Sequence, residues 1–210
     1  MPYFPLFVSL ADRDVLIVGG GAVALRKARS LSAFGCRITA AAAAFCPGWE
    51  TLNAVCRTAA LTGGEPWLWE TPWALVIAAA GDRALNLRVS DEARARGIPV
   101  NTADDARACT FYFPALVRRG DVVVGVCSGG KAPFYTKLLR KELEAAIPPG
   151  DGALPEVLET QREAARRGGE EAADRLIRTL RTALDRDPDL SASQLQALCE
   201  KVWQQAENYK

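Results

Sequence analysis

The first half of the sequence predicts an α/β fold with a doubly wound parallel sheet. Two short apolar runs, "DVLIV" at residues 14–18 and "ALVIAA" at residues 74–79, are typical of strands that are buried on both faces. A segment with helical spacing of apolar residues follows each run and ends at a glycine. This alternation favours parallel strands with helices packed on both faces of the sheet.

The elements of this half follow one another in order. Strands are predicted at residues 14–18, 36–42, 54–61, 74–79 and 98–101, and helices at residues 22–33 and 83–96. Between the third and fourth strands, "GGEPWLWETPW" at residues 63–73 predicts a loop or a short helical piece. Its tryptophans, Trp67, Trp69 and Trp73, are expected to cover the edge of the sheet.

A different pattern begins at residue 110. "TFYFPALVRRGDVVVGVCSGG", residues 110–130, holds two apolar runs around a turn at residues 118–121, which indicates a β-hairpin. "APFYTKLLRKELEAAI", residues 132–147, predicts an amphipathic helix, and two or three more helices are expected after it. We therefore predict three parts: the sheet domain at residues 1–113, a hairpin and helix at 114–150, and a helical domain at 151–210.

Composition excludes several kinds of chemistry. The net charge of +1 gives no general attraction to nucleic acid or to a membrane. The 210 residues include no histidine, which removes Ser-His and Cys-His catalysis and imidazole metal ligands, so no metal site is predicted. The six cysteines form no CxxC pair, and we expect reduced, mostly buried thiols. Because "MPYFPLFVSLADRD" at the start predicts neither a signal peptide nor a membrane span, the expected location is the cytoplasm.

The turn after the first strand carries a nucleotide-binding pattern. Gly19, Gly21 and Ala24 fit G-x-G-x-x-[GA] between a predicted strand and a predicted helix. The first glycine permits the tight turn, the second lets a pyrophosphate approach the backbone, and the alanine lets the helix pack closely on the strand. This context favours a Rossmann-like domain, and the alternative is an ordinary strand–helix turn.

The second strand lacks the acidic residue that usually binds the ribose in such sites. "RITAAAAAFCP", residues 37–47, contains no acid, and no arginine stands at the strand end for a 2′-phosphate. We therefore expect backbone groups to hold the ribose hydroxyls. The loop alone permits NAD without requiring it.

Three stretches and their order together resemble one family. The stretches are "YFPLFVSLADRDVLIVGGGAVALRKARSL", "VIAAAGDRALNLRVSDEARARGIPVNTADD" and "CTFYFPALVRRGDVVVGVCSGGKAPFYTKLLRKELE". Residues 3–147 resemble the precorrin-2 dehydrogenase family, of the siroheme synthase N-terminal type. The resemblance implies NAD-dependent oxidation of the tetrapyrrole precorrin-2 to sirohydrochlorin. It also implies a homodimer in which residues 114–147 exchange between subunits.

The resemblance leaves the full activity open. Many members of the family then insert ferrous iron, so ferrous or cobalt ion is a further expected substrate. Sequence cannot separate this ferrochelatase activity from a dehydrogenase that lacks it, since metal insertion leaves no motif of its own. An alternative of another class is a module that binds NAD or a tetrapyrrole without turnover.

The resemblance also assigns site residues. The family's nucleotide contacts fall on Ala22, Val23, Ala43 and Ala44, its key carboxylate on Asp104, and a serine that is phosphorylated in some members on Ser128. The complete predicted cofactor site consists of Gly19, Gly20, Gly21, Ala22, Val23, Ala43, Ala44, Ala79 and Asp82. Predicted substrate contacts are Asn101, Ser128, Gly129 and Lys131. For Asn101 the alternative is a loop-fixing role, and for residues 128–130 the alternative to an anion-binding nest is a simple turn.

The sequence departs from the family pattern in three places. "AAAAF" replaces a more branched strand end, "AAAGD" lacks the usual threonine before Asp82, and "KAPFYTKLL" is bulkier than the usual run of small residues. The last departure puts the substrate geometry in question.

Asp104 is the predicted catalytic base. It follows the fifth strand, at the carboxyl edge of the sheet where ligands of such sheets bind, and the chain has no histidine to compete for the role. Helix capping is the alternative for Asp104 and the favoured role for its neighbour Asp105. Basic candidates for the substrate's carboxylates are Arg118, Arg119, Lys131, Lys137, Arg140 and Lys141, each with a solvated surface role as the alternative. Arg26 and Lys27 are expected on the solvated face of the first helix.

Overall fold

A parallel five-stranded sheet forms the first half of the protein. The structure, a computed structural model, describes residues 4–147 and 149–207. The strands are β1 (Asp14–Val18), β2 (Arg37–Ala42), β3 (Ala54–Thr58), β4 (Leu75–Ala78) and β5 (Val100–Thr102). Their spatial order is β3-β2-β1-β4-β5, and every neighbouring pair is parallel. The predicted fold class is confirmed.

The two faces of the sheet carry separate apolar cores. Val15 and Ile17 of β1 lie in one core, together with the inner face of helix α1 (Ala22–Ser32). Leu16 and Val18 lie in the other core, with the inner face of helix α2 (Arg83–Ala95). Alternate residues of a strand point to opposite faces, so a strand covered on both sides must be apolar throughout.

Two strand boundaries differ from the prediction by two or three residues, and the others by at most one. β5 begins at Val100 rather than at Ile98, because the Ile98 amide donates to Ala93 in the last turn of α2 and is not available to the sheet. β3 ends at Thr58 rather than at residue 61, since the Ala59 amide makes the last bond to β2. The predicted edges were wrong by two or three residues because apolar character extends past the hydrogen-bonded ladder.

Short 3₁₀ turns, rather than α-helices, lie in the connections from β2 to β3 and from β3 to β4. One covers Trp49–Thr51 between β2 and β3, and another covers Pro66–Leu68 within the predicted loop. Trp73 is buried in the second core and donates its indole N–H to the Leu68 carbonyl at 2.7 Å. The other two tryptophans of this loop are partly buried against the same core, so the group covers the sheet.

The chain divides into two compact units, residues 1–113 and 114–210. In the second unit, β6 (Ala115–Arg119) and β7 (Val122–Val126) form the predicted antiparallel hairpin. The turn is tighter than predicted, because Arg118 and Arg119 are paired within β6 and Gly120, at φ +53°, makes the reversal. Helix α3 (Pro133–Ala146) follows, as predicted.

Three further helices complete the second unit. They are α4 (Leu154–Thr160), α5 (Arg162–Arg186) and α6 (Ala192–Glu207), and Gly169, at φ +81°, interrupts α5 with a kink. Their core includes Leu176, Leu180 and Leu184, spaced one helical turn apart on α5. Among residues 4–147 and 149–207, no helix is both long enough and apolar enough to span a membrane.

The cysteines are more exposed than predicted. All six are free thiols, but only Cys199 is fully buried, in the core of the second unit. Cys56 and Cys127 are exposed, because β3 is an edge strand and Cys127 follows the last residue of the hairpin.

We predict that Leu180→Ala destabilises the second unit by about 2–5 kcal/mol, because its fully buried side chain would leave a cavity. Chemical denaturation followed by circular dichroism measures this change. The matched control is Arg178→Ala, an exposed position on the same helix that should stay within about 0.5 kcal/mol of the wild type. Equal stabilities for the two variants would contradict the assignment of this core.

Candidate functional site

The turn between β1 and α1 is pressed against the ends of two neighbouring strands. Gly19 has φ +135°, and a Cβ there would lie 2.3 Å from the Ala79 carbonyl oxygen. A Cβ on Gly20 would lie 2.0 Å from the Ala44 carbonyl oxygen. Both positions therefore require glycine for lack of space, and Gly19 requires it for its backbone conformation as well.

Gly20 also anchors the segment that follows β2. Its carbonyl accepts the Cys46 amide at 2.9 Å and the buried Trp49 indole N–H, also at 2.9 Å. Sequence reasoning included Gly20 in the cofactor site without a role of its own. The signal was the middle glycine of "GGG", which the G-x-G-x-x-[GA] pattern does not require.

The first turn of α1 follows an uncrowded glycine, and its backbone amides make no bond within the helix. Gly21 is the N-cap, makes no side-chain cap, and has nothing within 4 Å of where a Cβ would stand. The first helical bond is donated by Leu25 to Gly21, so the amides of Ala22, Val23 and Ala24 have no partner within the helix. No acidic residue stands in this turn. Open amides at a helix N-terminus attract an anion such as a pyrophosphate.

Methyl groups and main-chain atoms make up the strand ends beside this turn. Ala43 and Ala44 directly follow β2 and are exposed, and neither offers a polar side chain to a ribose. Ala79 follows β4 and is buried, with its carbonyl beside Gly19. Asp82 caps α2 by accepting the Ala84 amide at 2.8 Å. The predicted cofactor residues thus lie together along the carboxyl edge of the sheet, around the glycine turn.

Two adjacent aspartates after β5 differ sharply in their surroundings. Asp105 accepts the Arg107 amide at 2.9 Å and pairs with the Arg83 guanidinium at 2.9 Å. The Arg107 amide, followed by the Arg83 contact, holds the pKa of Asp105 below its usual range. The Asp104 side chain is exposed and makes no hydrogen bond or ion pair with any residue that the structure describes. Capping therefore belongs to Asp105 alone, as favoured, and Asp104 is left available.

Hydrogen bonds join the start and the end of the segment that carries Asp104. The Thr102 hydroxyl donates to the Asp105 carbonyl at 2.5 Å, and the Cys109 thiol lies 3.2 Å from the Thr102 amide. The Thr110 amide donates to the Val100 carbonyl at 2.8 Å. These bonds form a compact loop over residues 102–110 that presents Asp104 outward.

A lysine and an asparagine lie beneath this loop. Asn101 is buried and donates its side-chain N–H to the Phe111 carbonyl at 3.0 Å, so the loop-fixing alternative describes it correctly. Its side-chain oxygen accepts Lys27 Nζ at 2.8 Å, and Lys27 Nζ lies 4.5 Å from the centre of the Phe113 ring. Burial lowers the pKa of Lys27.

The prediction of a solvated Lys27 was wrong. Lys27 is partly buried because it lies between the helix's core face and solvent, three residues after the buried Ala24 and four before the buried Leu31. Arg26 is exposed, as predicted.

The predicted substrate contacts Ser128, Gly129 and Lys131 lie in the turn that precedes α3. The Ser128 hydroxyl accepts the Ala132 amide at 3.2 Å and the Thr136 hydroxyl at 2.9 Å. Gly129 and Gly130 have φ of +63° and +77°, and Lys131 is exposed. The serine oxygen is thus bound to the first turn of α3, which fits the turn alternative for residues 128–130.

The three arginines among the basic candidates of the second unit have protein partners. Arg118 donates to the Gly120 carbonyl at 3.1 Å. Arg119 donates to the Ile147 and Glu144 carbonyls at 3.1 and 3.2 Å, and Arg140 pairs with the Glu144 carboxylate at 2.5 Å. The lysines among these candidates, Lys131, Lys137 and Lys141, are exposed. No group of three or more acidic, cysteine or histidine side chains that could hold a metal ion occurs in the part of the chain that the structure describes.

A Rossmann-like sheet with an open glycine turn defines a dinucleotide-binding protein. A family model described as "Putative NAD(P)-binding" matches residues 6–115, and the chain belongs to this family. The family match supports a nicotinamide dinucleotide as cofactor.

Curated relatives confirm the resemblance drawn from the sequence. The chain is 44% identical to siroheme synthase of Psychrobacter cryohalolentis over 154 residues, which cover 73% of the chain and 29% of that protein. It is 41% identical to siroheme synthase of Neisseria meningitidis serogroup C over 171 residues, covering 78% and 34%. The chain therefore spans about a third of the length of these relatives.

One solved structure has a similar fold over its whole length. It is described as "SirC, precorrin-2 dehydrogenase", and it aligns with a TM-score of 0.63 at 21% identity, covering 99% of this chain and 100% of its own. The helical second unit is therefore part of the shared architecture.

We predict that Gly20→Ala and Gly21→Ala separate folding from nucleotide binding. Gly20→Ala places a methyl against the Ala44 carbonyl and should cost about 1–3 kcal/mol of stability. Gly21→Ala meets no protein atom and should stay within about 0.5 kcal/mol, but its methyl stands where a pyrophosphate approaches. Denaturation curves and NAD titrations measure the two effects. A stable Gly21→Ala protein with unchanged NAD affinity would contradict this placement of the pyrophosphate.

Proposed function

We propose that this protein uses NAD to oxidise precorrin-2 to sirohydrochlorin. The observation that carries the proposal is the unpartnered Asp104 carboxylate at the carboxyl edge of the sheet. β4 alone separates β5 from β1, so Asp104 is two strands, or roughly 10 Å at strand spacing, from the glycine turn. That separation suits a base facing a substrate laid against the nicotinamide end of a dinucleotide. The siroheme synthase relatives supply the substrate class.

We infer NAD rather than NADP from the end of β2. NADP carries a 2′-phosphate that such sites usually meet with an arginine. Residues 38–45, "ITAAAAAF", contain no basic residue, and Ala43 and Ala44 offer only methyl and main-chain groups. Backbone contacts serve ribose hydroxyls well and compensate a phosphate charge poorly.

The α1 amides, the cofactor and Asp104 have separate roles in the proposed reaction. The unpartnered amides of the first α1 turn hold the pyrophosphate, and the glycine turn leaves room for it. NAD, when bound, supplies the hydride acceptor. Asp104 accepts the proton that leaves the substrate, and the closed 102–110 loop holds its carboxylate toward solvent and substrate.

Metal insertion is the second activity that the resemblance implies. Inserting ferrous or cobalt ion requires a base that removes the pyrrole N–H protons, and Asp104 is the free carboxylate suited to this step as well. The test is separate from the first: sirohydrochlorin and ferrous or cobalt ion are added without NAD. A dehydrogenase without chelatase activity would leave the sirohydrochlorin spectrum unchanged.

We further propose a homodimer joined through the second unit. Phe134, Tyr135 and Leu138 on α3 are 81%, 50% and 51% exposed, an apolar surface that a partner would cover. Light scattering on the purified protein tests this. We place the protein in the cytoplasm, because its six thiols are unpaired and such thiols persist in a reducing compartment.

We predict NAD-dependent turnover of precorrin-2 by the wild type under anaerobic conditions, seen as NADH formation and the sirohydrochlorin spectrum. Asp104→Ala should lower kcat by about 100- to 10,000-fold and leave NAD affinity nearly intact, because the carboxylate contacts the substrate rather than the dinucleotide. Asp105→Asn is the matched control, since it keeps an oxygen for the Arg107 amide. It should retain most of the activity.

The outcomes separate the alternatives. Full activity in Asp104→Ala would remove this residue from the reaction. A wild type that binds NAD and precorrin-2 but does not turn over would favour the module without catalysis.

A further inference from the structure

Lys27 is a partly buried cation to which the proposed reaction gives no role. It lies on the second turn of α1, and its Nζ donates to the Asn101 side-chain oxygen at 2.8 Å. The same ammonium lies 4.5 Å from the centre of the Phe113 ring. A hydrogen bond and a cation–π contact thus compensate a charge that burial disfavours.

Asn101, which accepts this hydrogen bond, connects the two ends of the loop that carries Asp104. Asn101 precedes the last residue of β5, where the loop begins, and its side-chain N–H reaches the Phe111 carbonyl, where the loop ends. Phe113, beneath the ammonium, continues the returning segment. A single ammonium therefore contacts the departing and the returning strand of the loop at once.

This contact is the link between the loop and the nucleotide helix. Among the described residues, the Lys27–Asn101 bond is the only hydrogen bond that joins α1 to residues 100–113. The loop's other bonds join it to itself, to β4 and to α2, and none of them ends on α1: Thr102 binds Asp105, the Ala103 amide donates to Ala78, and the Ser90 hydroxyl donates to Ala108. Apolar packing of Phe111 and Phe113 on the core is non-directional.

We propose that Lys27 is a positioning residue that fixes the Asp104 loop relative to the helix whose first turn receives the pyrophosphate. Its catalytic consequence rests on the proposed function. A dehydrogenase must hold its base and its dinucleotide in one geometry, and a small displacement between them reduces the rate strongly. Lys27 acts on Asp104 through Asn101 and touches neither substrate nor cofactor.

Two variants of neighbouring residues test the proposal. Lys27→Met keeps most of the side-chain length but removes both the donor to Asn101 and the cation–π contact with Phe113. Arg26→Met removes the same charge from the same helix at an exposed position. Any effect common to both variants reports charge or helix propensity, and an effect of Lys27→Met alone reports the contacts of the Lys27 ammonium with Asn101 and Phe113.

Hydrogen exchange on the free protein gives the readout that does not depend on catalysis. In Lys27→Met, the amides of residues 103–111 should exchange about tenfold faster, while those of α2 keep their wild-type rates. Arg26→Met should match the wild type throughout. If Lys27→Met does not fold, Lys27→Leu, a neutral side chain that also lacks a donor, carries the same expectation. Wild-type exchange at residues 103–111 in a folded variant would overturn the proposal.

Kinetics then separates positioning from the other roles. With NAD and precorrin-2, Lys27→Met should lower kcat about tenfold and leave the KM for NAD near the wild-type value. A purely structural role would lower the melting temperature and leave kcat of the folded protein unchanged, whereas direct ligand contact would raise KM. Either result overturns the proposal. If the wild type shows no turnover, the proposed function fails and the exchange rates still decide the role of Lys27.

Discussion

The site depends on a contact between main chains. The turn from β1 into α1 lies so close to the carbonyls of Ala44 and Ala79 that a side chain on Gly19 or Gly20 has no place to stand. This approach joins the ends of β1, β2 and β4 into one edge, and the Gly20 carbonyl then collects the Trp49 indole and the Cys46 amide. The open first turn of α1 follows from this close approach, because the helix begins only after the crowded residues Gly19 and Gly20.

The same constraint accounts for the alanines of β2. Alanine is a weak strand former, yet this segment is paired on both sides, to β1 and to β3, so the ladder overrides local preference. Ala40 and Ala41 are fully buried on opposite faces of the sheet. The Ala42 methyl would lie 3.0 Å from a Cβ on Gly20, which leaves little room for a larger residue there. β2 is thus a regular, paired strand despite its alanines, and its end lies against the glycine turn.

Local patterns predicted the sheet, its helices and the glycine turn, because strand burial, helical periodicity and glycine geometry are properties of adjacent residues. They favoured a capping role for Asp105 but did not reveal its ion pair with Arg83, which is 22 residues away. They also misplaced Lys27, whose partner Asn101 lies 74 residues further along the chain. A long polar side chain at the border of a helix face is solvated or buried according to what packs opposite, and that is decided by the tertiary fold.

In the proposed function, dinucleotide binding depends mainly on main-chain groups, and the chemistry depends on side chains. The predicted cofactor side consists mainly of glycines, alanines and free amides, with Asp82 engaged as a helix cap, so its affinity for an anion depends on main-chain geometry. The region around β5 contains ionisable and polar side chains instead. They include Asn101, Asp104 and Asp105, together with Lys27 of α1. The charges around β5 can therefore differ without a change in the main-chain geometry of the glycine turn. Conversely, a displacement of the glycine turn displaces α1, and through the Lys27–Asn101 hydrogen bond it also reaches the loop that carries Asp104.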